Sequence, residues 1–166
     1  EHAKNFLGGW RGHLMVDDYG GYKHLFAPNR NGAPPCTEGG CFAHARRKFH
    51  EARDSDVNRA HQMLAWIRQL YALERDAKEL EPDARRSLRQ EKATPLLDAM
   101  KTWLDEQQRR GLPKSPIGNA ITYALNQWRA LNRYLDDGDL AIDNNAAENA
   151  LRAIAVGRKN WLFAGS

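Results

Sequence analysis

A long stretch of helical periodicity, from about residue 45 to residue 112, constrains the fold of this chain more than any other feature. Apolar side chains recur there at spacings of three and four, which places them on one face of a helix, while arginines and glutamates occupy the other face. Pro82 interrupts the pattern, and Gly111 stands where a helix C-terminal cap belongs. The two apolar stripes consist of Val57, Ala60, Leu64, Ile67, Leu70, Tyr71 and Leu80, and then of Leu96, Leu97, Met100, Trp103 and Leu104.

The segment before these helices has the pattern of a strand followed by a turn. Gly12–Val16 is a short apolar run that ends in Asp17 and Asp18, with a pair of glycines after it. A strand that delivers acids at its C-terminal edge is a common way to build an active site on a sheet. Prolines, glycines and asparagines predict a loop over residues 27–40, and residues 41–44 either form a brief strand or enter the next helix directly.

Helix signals also mark the last third of the chain. Ser115 is placed to cap a helix that has Pro116 at its first position, and this helix ends near Gly138. A final helix opens at residues 145–148 and runs to about residue 155. The tryptophans on the apolar stripes are expected to pack in the core; they are Trp66, Trp103 and Trp128.

Composition indicates a folded, water-soluble domain. Of 166 residues, 42% are hydrophobic and 28% are charged, and no apolar run approaches the ~20 residues that span a bilayer. Cytoplasmic residence is therefore expected. The two cysteines, Cys36 and Cys41, are expected to be free thiols, because a disulfide-stapled domain carries more of them. Zinc binding by Cys41 and His44 is an alternative, but zinc sites need about four ligands and no second pair is evident.

The net charge of +4 suits a nucleic-acid partner, and the position of the basic residues is more informative than their sum. As DNA contacts they would bind phosphate and add affinity without sequence choice, whereas the alternative for each is an ordinary solvated surface. The basic residues form two clusters, Arg46, Arg47 and Lys48 in the first and Arg152, Arg158 and Lys159 in the second.

Two acids are placed as phosphodiester chemistry would require. Two-metal phosphoryl transfer needs carboxylates that converge from separate elements, and Asp17 after a strand and Glu148 in the first turn of a distant helix meet that need. Glu148 has an alternative role, because Asn145 and Glu148 have the spacing of a capping box. Asp143 and Asn144 are expected to form the preceding turn.

Four blocks of sequence carry a more specific signal. They are Val16–Tyr22, Cys41–Phe49, Ile142–Arg152 and Gly157–Ser166. In this order, and spread over essentially the whole chain, they closely resemble the transposases of the bacterial insertion sequence 66 family.

The resemblance implies an α/β fold with an RNase H-like core, a mixed sheet flanked by helices that carries an Asp-Asp-Glu (DDE) triad. Residues 1–56 and 113–166 would form this core, and residues 57–112 an all-helical insertion that makes the chain helix-dominated. The family motifs map the second Asp of the triad to Asp17 and the Glu to Glu148. Asp18 replaces the usual glycine of the motif and is an alternative ligand, and His44 is expected to support the site.

The family implies cleavage and joining of DNA with Mg²⁺ or Mn²⁺ as cofactor, and homo-oligomers are a further expectation. The first Asp of the triad would lie upstream of residue 1, so the chain is expected to be part of a longer transposase and to be inactive alone. Two other functions stay open: another RNase H-like nuclease, or a DNA-binding or oligomerisation remnant without chemistry.

Overall fold

Two short strands come first in the described part of the chain, and helices make up most of the rest. The computed structural model describes residues 7, 10–17, 20–27, 36–110 and 114–150. Short 3₁₀ segments join several of the helices, and residues 145–150 are helical. The strands are β1 (Gly12–Val16) and β2 (Cys36–Gly40), and the helices are α1 (Phe42–Glu51), α2 (Val57–Asp76), α3 (Pro82–Leu88), α4 (Thr94–Arg109), α5 (Pro116–Asn126) and α6 (Trp128–Leu131). The prediction of a helix-dominated α/β chain is confirmed.

The two strands pair in parallel, with Val16 opposite Gly40 at the end of the register. β1 has the predicted bounds, but the prediction of a loop over residues 27–40 is wrong for β2. Glycine disfavours strands, so the sequence of β2 gives little sign of one. Tertiary packing explains why β2 has a glycine at position 40. A Cβ there would lie 2.7 Å from the backbone nitrogen of Leu131, so only glycine lets β2 approach α6 this closely.

The chain leaves β2 and enters α1 directly, the second of the two predicted alternatives. α1 buries Phe42, Ala45 and Phe49, which share one face at helical spacing. The ring of Phe42 meets the ring of Tyr134 edge-on at 6.0 Å between centroids. α1 therefore anchors the end of the small sheet to the helical core.

Pro82 begins a helix, where the sequence pattern suggested only an interruption. Proline is tolerated at the first helical position because its missing N–H would have no partner there. The helix continues from α3 through a π-helical segment, Arg89–Ala93, into α4. Arg89 is buried in that segment, where its guanidinium donates to both carboxylate oxygens of Glu74 at 2.9 and 2.7 Å and to two backbone carbonyls.

The main core lies among α1, α2, α4 and α5. The tryptophan predictions hold: Trp66 and Trp103 meet edge-on at 5.5 Å, and both are packed against the core, as is Trp128. The predicted Ser115 cap is also present, with its hydroxyl accepting from the N–H of Gly118 at 3.2 Å. No helix in the described ranges is both long and apolar enough to cross a membrane. The largest fully buried apolar side chains are Phe42, Phe49, Met63, Ile67, Leu70, Leu97, Met100, Leu104, Ile121 and Leu131.

Candidate functional site

The site begins at the carboxyl-terminal edge of the parallel strand pair. Asp17 directly follows β1, and Cys41 directly follows β2, so the register of Val16 with Gly40 brings both exits to the same edge. Asp17 is exposed there. α1 starts at this edge and carries His44 in its first turn.

Glu148 contacts that first turn of α1. Its Oε1 lies 3.5 Å from Nε2 of His44 and 3.4 Å from Nδ2 of Asn144, and its side chain is 32% exposed. The turn that carries Glu148 therefore contacts α1. This helix starts at the same edge of the sheet at which Asp17 follows β1.

Asp143 caps the start of the 145–150 helix. Its Oδ1 accepts from the backbone N–H of Asn145 at 3.0 Å, and its Oδ2 accepts from the side-chain amide of Asn145 at 2.7 Å. This bond to the N–H two residues on is the expected turn-forming role of Asp143. Because Asp143 supplies the cap, the capping-box role is not needed to explain Glu148, whose carboxylate reaches α1 instead.

Two further hydrogen bonds hold this turn in place. The backbone N–H of Phe42 donates to the carbonyl of Ile142 at 3.1 Å, and the hydroxyl of Tyr71 on α2 donates to Oδ2 of Asp143 at 2.6 Å. Burial, followed by the hydrogen bond to Asp143, raises the pKa of Tyr71, so the phenol stays protonated and remains a donor. α1 and α2 together fix the turn that presents Glu148.

Polar atoms beside Glu148 bear on what the site can hold. Nδ1 of His44 and Oδ1 of Asn144 are buried and have no hydrogen-bond partner among the described residues. Burial raises the pKa of the Cys41 thiol. Both cysteines are free, as predicted. Within the described part of the chain, no group of three or more His, Cys, Asp or Glu side chains is placed to hold one metal ion.

The three basic residues predicted on α1 do not share a surface. Arg46 and Arg47 are exposed and line a cavity of about 460 Å³ that also contacts Asn145, at the start of the Glu148 helix. The ammonium of Lys48 instead lies over the ring of Tyr123, 4.6 Å from its centroid. Arg46 and Arg47 therefore border the Glu148 turn, and Lys48 is turned toward α5.

A second cavity, of about 600 Å³, adjoins the first and shares Arg46 and Tyr71 with it. Arg68 and Arg75 of α2 line it, and sequence reasoning did not single out either of them as functional. The available signal was their spacing of seven residues, which places them on one helix face with Tyr71. We call the two adjoining cavities the basic groove; its basic residues are Arg46, Arg47, His50, His61, Arg68 and Arg75.

Four of the predicted site residues lie outside the described residues. They are Asp18, Arg152, Arg158 and Lys159.

Comparison with known proteins identifies relatives over the full length of the chain. The sequence model of the family described as "Transposase IS66 family" matches residues 1–166. The uncharacterized protein y4hP of Sinorhizobium fredii (strain NBRC 101917 / NGR234) is 36% identical over 100% of this chain and 32% of its own length. From the same strain, y4qI is 36% identical over 96% of this chain and 30% of its own length, and y4jD is 30% identical over 99% and 32%. The chain spans about a third of the length of these relatives. No solved structure matches it.

Proposed function

The chain belongs to the IS66 family of transposases, and we propose that it supplies two carboxylates, Asp17 and Glu148, to a catalytic centre that cuts and joins DNA. One observation carries the proposal: the Glu148 carboxylate lies against His44, in the helix that begins where β1 delivers Asp17. Acids from elements far apart in sequence thereby approach one edge of the sheet, as phosphodiester transfer requires.

The donor chemistry beside Glu148 suits a hard divalent ion. Carboxylate and amide oxygens are the ligands that Mg²⁺ and Mn²⁺ prefer, and the buried Oδ1 of Asn144 has no partner among the described residues. Asp17 and Glu148 would hold the ion, and Asp18 is the alternative to Asp17. The bound metal would polarise the reacting phosphate and stabilise the charge that develops in an in-line displacement.

Neighbouring side chains of the protein set the position of the Glu148 carboxylate. His44 Nε2 and Asn144 Nδ2 both reach Oε1 of Glu148, so they orient the carboxylate through that oxygen. The remaining carboxylate oxygen of Glu148 would be left available to the ion. Asp143 fixes the start of the helix and is itself held by Tyr71, so the position of Glu148 depends on both α1 and α2. Such preorganisation lowers the cost of reaching the productive geometry.

We further propose that the parallel pair and the helices around it are part of an RNase H-like core, formed by residues 1–56 and 113–166. Residues 57–112 would be the helical insertion. In this assignment the third carboxylate of the triad comes from a segment outside the 166 residues, so these residues alone would not carry out strand transfer. DNA is the proposed substrate of the whole protein.

The test uses the whole transposase that contains this chain and a labelled transposon-end duplex with Mg²⁺ or Mn²⁺. Asp17→Asn and Glu148→Gln are each expected to lower the rate of strand cleavage at least ~10³-fold, because each removes a charged ligand needed in the transition state. Glu91→Gln, a change of an exposed glutamate in the Arg89–Ala93 segment, serves as the matched control. Cleavage by Glu148→Gln at the rate of the control would contradict the proposal. Retained DNA binding without cleavage by the wild type would favour a DNA-binding remnant.

A further inference from the structure

The basic groove lies between α1 and α2 and starts at the Glu148 turn. Asn145, the first residue of the 145–150 helix, lines one of its two cavities, and α2 lines the other from His61, near the helix start, to Arg75, near its end. Tyr71, which holds Asp143, lines both cavities where they join. A ligand lying in this groove would therefore contact α2 and lie beside the Glu148 turn.

The charges that line the groove are mostly uncompensated. Four arginines and one acid, Glu51, line it within the described residues. None of the four arginines forms an ion pair with another described residue, whereas Arg59 on α2 pairs with Asp56. All four are exposed and can reach a ligand. A surface of this kind attracts a polyanion.

The spacing of the two arginines on α2 fits a repeating phosphate chain. Arg68 and Arg75 are seven residues apart on one helix face, or about 10.5 Å along the axis at 1.5 Å per residue. Three nucleotides of one DNA strand rise about 10 Å along the duplex axis. Guanidinium groups bind phosphate oxygens through two parallel hydrogen bonds, which makes arginine well suited to such contacts.

We infer that the basic groove binds the sugar–phosphate backbone of duplex DNA next to the reacting phosphodiester, with Arg68 and Arg75 of α2 as phosphate contacts. The inference rests on the proposed function and extends it, because it makes the helical segment after residue 57 part of the DNA-binding surface. Contacts to phosphate read no bases, so the groove adds affinity and orientation and leaves sequence choice to other parts of the protein.

The experiment measures the affinity of the whole transposase for a labelled transposon-end duplex and for a scrambled duplex, by fluorescence anisotropy between about 50 and 200 mM salt. The test variant is the double substitution Arg68→Gln, Arg75→Gln. The matched control is Arg109→Gln, Arg129→Gln, which removes the same charge from exposed positions outside the groove. A third variant, Arg68→Lys, Arg75→Lys, keeps the charge.

Loss of two phosphate contacts is expected to reduce the slope of log affinity against log salt by about 1.8 and to weaken binding roughly 10- to 100-fold at 0.1 M salt. The loss should be equal on both duplexes, and the lysine variant should keep most of the salt dependence. Binding by the glutamine pair equal to that of the control pair would overturn the inference. A change in self-association without a change in DNA affinity would also overturn it, because the groove would then hold protein.

Failure of the groove and failure of the proposed function give different results. If Asp17→Asn and Glu148→Gln abolish cleavage while the glutamine pair behaves as its control, only the groove assignment is wrong. If Glu148→Gln still cleaves while the glutamine pair binds weakly, the groove stands as a DNA surface and the catalytic assignment fails.

Discussion

Replacing Arg89 by methionine is expected to destabilise the protein severely, because this buried cation holds together three segments of the chain. Its side chain is 2% exposed and that of Glu74 is 15% exposed, so both charges of the pair are largely removed from water. The guanidinium also donates to the carbonyls of Tyr134 and Asp137 at 2.8 and 3.0 Å. Arg89→Met would leave a buried carboxylate and two carbonyl groups without these donors.

Breaking a buried pair by removing one partner typically costs about 3–5 kcal/mol, and the additional lost carbonyl contacts place Arg89→Met in that range. For a chain of this size the loss corresponds to a fall in Tm of roughly 10 °C. The assay is urea unfolding followed by circular dichroism. The double variant Arg89→Met, Glu74→Leu should recover part of the loss, because it leaves no buried charge behind.

Arg86→Met is the matched control, since Arg86 forms an exposed pair with Asp83 at 3.1 Å in the same helix. Exposed pairs contribute about 0–1 kcal/mol, so this variant should unfold close to the wild type. A cost of Arg89→Met below about 1 kcal/mol, or no recovery in the double variant, would refute the reasoning.

Three smaller predictions concern close packing, a helix cap and the Glu148 turn. Gly138→Ala should cost about 3 kcal/mol in urea unfolding, because its methyl group would lie 1.9 Å from the backbone oxygen of the proline that begins α3. Gly20→Ala, with no described atom within 4 Å of its methyl group, should cost under about 0.5 kcal/mol; equal effects would contradict the packing argument. Asp56→Ala should cost about 1 kcal/mol at neutral pH by removing the α2 cap. Hydrogen bonds lower the pKa of Asp56 below 3.8, so its stabilisation is present above that pH, and the difference from wild type should shrink as pH falls through the folded-state value; a pH-independent difference would contradict this. Tyr71→Phe should cost about 1–2 kcal/mol and slow strand cleavage by the whole protein more than it weakens DNA binding, because it releases Asp143; an unchanged cleavage rate would refute a positioning role.

Elements that are determined by residues close together in sequence could be predicted from local sequence patterns. The apolar run of β1, the Ser115 cap and the helical stripes each appear in the structure at or near their predicted positions. β2 could not be predicted, because its glycines disfavour a strand and its stability comes from pairing with β1 and from close approach to α6. The burial of Arg89 could not be predicted from the sequence either, since arginine normally lies on a solvated helix face.

The candidate site was predicted mainly from the four sequence blocks that resemble the insertion sequence 66 family, and less from the spacing of the acidic residues. Spacing alone left Glu148 with two roles, and only the structure assigns the turn-capping bonds to Asp143 and places the Glu148 carboxylate against His44. Tyr71 was expected to be one more apolar-stripe residue, because a long-range hydrogen bond to a residue 72 positions away leaves no local pattern. The DNA contacts that we propose for Arg68 and Arg75 depend in the same way on α1 and α2 lying side by side.

Metal-directed cleavage of the backbone tests most directly whether Asp17 and Glu148 share an ion. Fe²⁺ bound in place of Mg²⁺ reduces added hydrogen peroxide to hydroxide and a hydroxyl radical, and ascorbate regenerates the Fe²⁺. The radicals cut the chain close to the metal, and mass spectrometry then locates the new termini. In the whole protein, we predict cuts beside both Asp17 and Glu148, suppressed by excess Mg²⁺ and lost in Glu148→Gln. Cuts confined to other segments, or unchanged cutting in Glu148→Gln, would contradict the assignment of these two carboxylates to one metal site.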